Sequence, residues 1–392
     1  MLYTSSFLRM SLANFFTVSS FGAFFLFPLF IIGHGGSKSD TGIIMGIFAL
    51  SSVLSRPWIS EMVDRFGRKR SYTLGTIVMA ALPLAYLFFG GDIQGFYLPL
   101  LLVRVVHGVG LAICFTAVFT YIADIVPEER LNEGIGMFGV TGLTGLAAGP
   151  ALAELIIRNY GFPACFLFAS AMASAGLVVH FRLPESYVRG PQTARGSFFS
   201  VLKEAKTLSV ALIAVLFGVG LSASGTFVSP FAEENRIAFV SLYYLSYSAA
   251  AVLARLLGGR IADRVGEESV IPYALIVTGA GLLLLLLPGG LPVLALSGFM
   301  TGCGHGFLFP CLNALALRNA PGEIRGKVTG VFTGSIDTGA FAGSILLGYI
   351  GEWAGFQTLF LAAALALFSG FGVFRLRRRH HSVSIQKSAE IL

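Results

Sequence analysis

Long apolar runs alternate with short polar turns along nearly the whole chain. Twelve of these runs approach the roughly 20 residues that a helix needs to cross a bilayer. They fall at 8–32, 41–59, 71–90, 96–122, 134–157, 162–181, 208–232, 240–257, 270–287, 291–317, 328–350 and 356–376. Between the sixth and seventh lies a long polar stretch, 182–207, which contains Pro184, Gly190, Pro191 and Gly196 and reads as a linker. The pattern predicts an all-α integral membrane protein of twelve transmembrane helices in two pseudo-symmetric six-helix bundles. The expected division is a first bundle over 1–181, a cytoplasmic linker over 182–207, a second bundle over 208–376 and a cytoplasmic tail over 377–392.

Composition agrees with the pattern. Hydrophobic residues make up 55% of the 392 and charged residues 12%, against about 25% charge in a soluble domain. So little charge cannot solvate a surface in water. Orientation follows from Lys and Arg. With both termini inside, 23 of the 27 basic residues fall in cytoplasmic segments or at their helix ends, Arg56 and Arg255 being counted among those ends. Lys38, Arg158 and Arg236 fall outside, and Arg104 lies within a span. The positive-inside rule then gives a multi-pass protein with N-in and C-in topology, as expected for a bacterial-type cytoplasmic (inner) membrane. The net charge of +7 comes from the same basic segments and suits anionic lipid rather than nucleic acid. The first apolar run is too long for a signal peptide and is expected to stay as the first helix. The four cysteines all fall inside spans, with no C-x-x-C pair, and read as small apolar residues. No Walker motif and no metal-ligand spacing is present, so neither an ATP-driven pump nor a structural metal site is expected.

The two halves repeat one another. A charged turn, Ser60-Glu61-Met62-Val63-Asp64-Arg65-Phe66-Gly67-Arg68-Lys69-Arg70, recurs as Gly259-Arg260-Ile261-Ala262-Asp263-Arg264-Val265-Gly266. Shifting the second half by 194 residues sets Gly302 and Gly304 on Gly108 and Gly110, Phe332 on Phe138, and Gly339 and Gly343 on Gly145 and Gly149. Secondary transporters are commonly built from such repeats.

With twelve spans, two halves and this loop, the chain resembles the major facilitator superfamily from about residue 8 to residue 376. That family's loop pattern is Gly-x-x-x-Asp-Arg/Lys-x-Gly-Arg-Arg/Lys. Here Ser60 replaces the leading Gly, and in the second copy Glu267 stands where Arg is usual. A further similarity points to the family's drug/proton antiporter branch. Its fifth-helix glycine pattern is matched by Gly136, Gly145, Gly149 and Pro150, and departs at Ala153-Glu154, where two glycines are usual. The resemblance implies a conformational latch built from Asp64, Arg65, Gly67, Arg68 and Asp124, with pseudo-symmetric partners Asp263, Arg264 and Gly266. In it, Asp64 faces the start of the eleventh helix near 326–330, Arg68 reaches Asp124, and Asp263 faces the start of the fifth helix near Glu133.

Ionisable groups at membrane depth are costly and usually face a pathway or a partner. Arg104 lies roughly 12 Å and Asp337 roughly 15 Å into their spans, at 1.5 Å per residue. His107 is near one turn below Arg104, and His305 sits at mid-depth in the tenth span. The family fold lines its cavity with helices one, four, seven and ten, so the resemblance implies that Arg104, His107, His305 and Asp337 share a substrate and proton pathway, with His107 facing His305. Asn14 and Asn313 would add neutral polar lining. Asp337-Thr338-Gly339 spells the aspartic-protease tripeptide but falls inside a predicted helix without a second catalytic carboxylate, so no enzyme activity is expected. The whole implies a monomeric exporter that exchanges protons for a small organic solute by alternating access, with no cofactor beyond the proton gradient. The alternatives are a proton-coupled importer of a small organic anion, with Arg104 as the binding cation, and a non-transporting membrane receptor of the same fold.

Overall fold

The computed structural model describes residues 3–127, 130–186, 205–317 and 325–389. Most of the expected linker, the side chain of Asp263 and the side chains of the tail lie outside the described residues. Among those residues the chain is helical, with no strand.

The first half begins with α1 (Ser5–Ala23), whose free N–H at Phe7 is capped by the Thr4 hydroxyl at 3.2 Å. A 3-10 turn over Phe24–Leu26 carries α1 into α2 (Phe27–Gly33). α3 (Lys38–Phe66) starts from a capping box in which Ser37 and Asp40 satisfy each other's backbone N–H groups at 2.9 and 3.0 Å. Gly67, at φ 106°, reverses the chain into α4 (Arg68–Ala85). Then follow α5 (Tyr97–Ile125) and α6 (Leu131–His180).

The second half retraces this course. α7 (Ala205–Ser222) passes through a π turn over Ala223–Phe227 into α8 (Val228–Glu234), as α1 passes into α2. α9 (Ser241–Val265) turns at Gly266, φ 81°, into α10 (Glu267–Leu284). α11 (Gly290–Leu317) and α12 (Arg325–Ala389) complete the fold. α6 and α12 are each broken by one glycine with positive φ, Gly161 at 76° and Gly355 at 79°. Only glycine adopts such a conformation without strain, so these breaks mark the repeat in the backbone itself.

Nine helical stretches among the described residues are long and apolar enough to cross a membrane, two of them the 48-residue stretches Glu133–His180 and Val328–Arg375. Each of those is more than twice the length that spans about 30 Å of hydrocarbon, and each contains its glycine break. α9, expected as a span over 240–257, is not among the nine. Its side chains are described over 241–257, a shorter run than any of the nine. The outer surface is apolar, with Trp58 70% and Trp353 83% exposed, as lipid contact requires.

The bundle has two ends, one at Lys38 and one at Arg68. The largest hydrophobic cluster lies mostly toward the Lys38 end and draws on both halves, joining Phe24, Phe27 and Phe30 to Phe217, Phe227 and Phe231. A second cluster, around Tyr72, Tyr121 and Phe138, belongs to the first half alone, and a third, around Val328 and Val331, to the second half alone.

Candidate functional site

Asp337 is held by a partner from the opposite half. Its Oδ2 accepts a close hydrogen bond from Arg56 Nη2 and one of 3.1 Å from the Ser52 hydroxyl, both on α3. Arg56 Nη1 also donates to Thr333 Oγ1 at 3.0 Å. Arg56 stands ten residues before the end of α3, about 15 Å along the helix. It is therefore inside the bundle rather than at the helix end where the charge tally put it.

Arg104 and His107 sit within the first half, 2% and 0% exposed. Arg104 Nε donates to the Ile44 carbonyl at 3.3 Å, and its guanidinium lies 4.4 Å from the Phe48 ring and 5.3 Å from Phe27. Aromatic faces offset part of the cost of a buried cation. His107 Nδ1 is 3.1 Å from the Tyr86 hydroxyl, and its ring packs edge-on against Phe24 and Phe48. His305 makes the matching contact in the second half, Nδ1 to the Tyr247 hydroxyl, with Phe217 perpendicular to it at 5.2 Å.

The four expected pathway residues thus form three separate neighbourhoods: Arg104 with His107, His305 with Tyr247, and Asp337 with Arg56. The two histidines do not face one another, because each imidazole is turned to a tyrosine of its own half. Asn14 is 4% exposed and donates to Thr141 Oγ1 at 3.1 Å, while Asn313 Oδ1 is buried without a partner. Three cysteines are buried and Cys303 is half-buried; none forms a disulfide.

At the Arg68 end, Arg68 Nε lies 3.0 Å from Asp124 and its Nη2 3.4 Å from Asp64. Asp64 is 67% exposed on its side chain and pairs with Arg68, while the side chains that open α12, through residue 327, lie outside the described residues. Arg65 pairs with Glu61 at 2.5 Å, and Glu133 with Arg130 at 2.6 Å. The contact expected of Asp263 lies outside the described residues, and Arg264 is exposed. Glu185, which belongs to no motif in the chain, accepts the first N–H groups of α4 at Lys69 and Arg70, 3.0 and 3.2 Å away. A carboxylate is favoured at that positive helix end.

The glycine pattern is a packing surface for α1. A Cβ on Gly145 would lie 2.7 Å from the Phe15 carbonyl, and Gly149 backs on Ser19 and Ala23 with equal closeness. Pro150 meets Gly22 of the same helix. Gly136 has open space and takes no part in this contact.

The Lys38 end carries contacts that the sequence did not announce. Glu154, 6% exposed, accepts the N–H groups of Val240 and Ser241, at 3.0 and 2.8 Å, where α9 begins. Arg158 pairs with Glu154 at 2.8 Å and lies over the Phe239 ring at 4.5 Å. In the mirrored position, Glu352 accepts the N–H of Lys38 at 2.9 Å, where α3 begins, and Lys38 Nζ reaches Glu234 at 2.9 Å. In both cases a carboxylate of one half caps the second long helix of the other. The only signal in the sequence was the departure from the glycine pattern at Glu154.

A family model described as Major Facilitator Superfamily matches residues 10–245 and 210–391. The chain belongs to the major facilitator superfamily. It is a multi-pass membrane transporter of that superfamily. Relatives include Multidrug resistance protein 2 of Bacillus subtilis, 29% identical over 86% of this chain and 86% of the relative. Multidrug resistance protein MdtG of Salmonella choleraesuis is 25% identical over 95% of this chain and 94% of its own length. These names agree with the resemblance to the drug/proton antiporter branch. Solved members share the fold: a peptide transporter POT superposes with a TM-score of 0.77 at 16% identity, covering 96% of this chain and 95% of that one. The human organic anion transporter MFSD10 does so with a TM-score of 0.73 at 17% identity, covering 94% and 99%.

Proposed function

We propose that this superfamily member is a proton-coupled exporter of a small organic solute. It works by alternating access between two six-helix bundles, with both termini on the cytoplasmic side of a bacterial-type inner membrane. With the glycine breaks in α6 and α12 the nine long apolar stretches become eleven crossings, α9 would be the twelfth, and the repeat would divide them into two bundles. Multidrug-resistance relatives support the export direction. The proton gradient is the only driving force required, and a monomer suffices.

One observation carries the coupling: Asp337, deep in α12, is tied to Arg56 and Ser52 on α3 of the other bundle. Protonating the carboxylate removes the charge that holds Arg56 and weakens this tie between bundles. Substrate and proton then bias the same rocking equilibrium, which is what exchange requires. In this state the Lys38 end is closed by the shared hydrophobic cluster and by the caps of Glu154 and Glu352. The reverse swing would open those caps, with Asp64 and the Arg68–Asp124 pair serving as a latch at the other end. Arg104 and His107 act from within the first bundle by shaping α1, α3 and α5 around it.

The test uses purified protein in liposomes with a pH-sensitive dye inside, screened against drugs, sugars, metallophores and organic anions. The expected result is substrate-triggered proton movement opposite in direction to the solute, abolished in Asp337→Asn. Solute counterflow that persists in wild type with no proton signal would leave a facilitator. Proton and solute moving together would make it an importer. No flux with any class would favour a receptor of the same fold.

A further inference from the structure

We infer that Arg255 is the anchor for the solute's charge, and that the solute is an amphipathic aromatic monoanion bearing one carboxylate or sulfonate. This rests on the transporter reading above and names the substrate class.

Arg255 stands ten residues before the end of α9, about 15 Å from it along the axis. That is too deep for a headgroup anchor, and the side chain points inward. Its guanidinium lies against the bare backbone of Gly139 on α6, in the other half, where a Cβ would collide with Nη1. Its planar face lies 5.7 Å from the Phe309 ring. Nε is buried and has no hydrogen-bond partner, and among the described residues no carboxylate pairs with the guanidinium. Phe309 packs in turn against His305, which is bonded to Tyr247.

An unpaired cation at this depth is expensive unless it meets a pathway or a ligand. A guanidinium offers a planar fork that a carboxylate or sulfonate fits with two parallel hydrogen bonds. The surroundings supply the rest of the ligand's chemistry. His305, Phe309 and Asn313 recur every fourth residue and so share one face of α11. Phe217 and Phe309 both pack against His305, giving a ring of aromatic surface beside the cation. Asn313 Oδ1, a second buried atom without a partner, is one turn beyond Phe309. The aromatic rings beside the guanidinium suit a flat apolar body rather than a second charge.

The experiment measures binding of radiolabelled naphthoate, indoleacetate and naphthalenesulfonate to the full chain in lipid nanodiscs, with neutral naphthamide as the matched control. Wild type should prefer at least one anion over the amide by about tenfold or more, the scale of one charge-assisted bidentate contact. Arg255→Gln should erase that preference while leaving naphthamide binding unchanged, and Arg255→Lys should keep part of it. Leu143→Asp, which places a carboxylate one turn from Gly139, should abolish anion binding while the unfolding midpoint stays close to that of wild type, so that misfolding is not the cause. The inference is overturned if no anion binds up to about 1 mM, if the amide binds as well as the anions, or if Arg255→Gln keeps the preference. Liposome counterflow of the same probes separates the two readings. Arg255-dependent binding without counterflow would sink the transporter reading and leave the site. Counterflow unchanged in Arg255→Gln would sink the site and leave the transporter.

Discussion

Arg56 and Arg255 occupy the same place in the two copies of the repeat, each nine residues ahead of the loop arginine, Arg65 or Arg264. Both reach from the second long helix of one half to a helix of the other. Arg56 finds Asp337 on α12, with Ser52 and Thr333 completing the set. Arg255 finds Gly139 on α6, and the residue that the repeat sets opposite Asp337 is Leu143, itself 5% exposed. A carboxylate against a leucine at one facing position turns the same cation from a closed ion pair into an open charge. Duplication supplied a two-fold frame, and divergence across the interface between the halves gave its two arginines different work.

The largest way to break the comparison is to strip Asp337 of its cation. Arg56→Ala leaves a carboxylate at depth without its partner, which costs about 3 kcal/mol, the low end of the range for a broken buried pair because both groups are partly open. Thermal unfolding in detergent should show a clear fall in midpoint. The double variant Arg56→Ala/Asp337→Ala should recover most of it. A single variant as stable as wild type would mean that the pair does not tie the halves.

A smaller effect sharpens the same contrast from the other side. Leu143→Asp gives Arg255 the counter-charge that Arg56 already has; because Leu143 is 5% exposed, the cost of burying the carboxylate offsets most of the attraction, and stability should stay within about 1 kcal/mol of wild type. A larger fall in the unfolding midpoint would mean that the introduced carboxylate does not reach Arg255.

The caps at the Lys38 end offer a third and a fourth test. Glu154→Gln removes the charge that holds the start of α9, worth about 1–2 kcal/mol for charge-assisted bonds. The result should be a roughly tenfold faster reaction of a cysteine placed at Ser229 with an impermeant maleimide, since Ser229 is fully buried and bonds to the Phe25 carbonyl of the other half. Glu352→Gln should give only a few-fold change, because its bond to Lys38 is solvent-exposed. Equal rates in wild type and Glu154→Gln would show that the cap does not hold this end closed.

Much of the architecture was legible beforehand. The apolar runs locate the helices, and the loop motifs locate the reversals at Gly67 and Gly266. The Gly145–Gly149 spacing predicts close helix packing that α1 fulfils, although Gly136, part of the same pattern, meets nothing. The pairings were not legible. Arg56 and Arg255 each lie within one turn of the end of an apolar run, at 59 and 257, so a count along the chain reads both as anchors at the membrane surface. His107 and His305 sit on equivalent helices, which suggests that they face each other, yet Tyr86 and Tyr247 intervene. Glu154 reads as a broken motif until α9 is seen to begin against it.

The sequence by itself determined that this chain is a duplicated helical membrane protein of the major facilitator superfamily, because the hydrophobic period, the positive-inside bias and the repeated glycines are local properties. Only the tertiary structure decided which charges are spent on each other and which stay open. An ion pair depends on the side chain that a distant helix brings to within a few ångströms, and Arg56 and Arg255, nearly alike in their own segments, differ only in what stands across the interface.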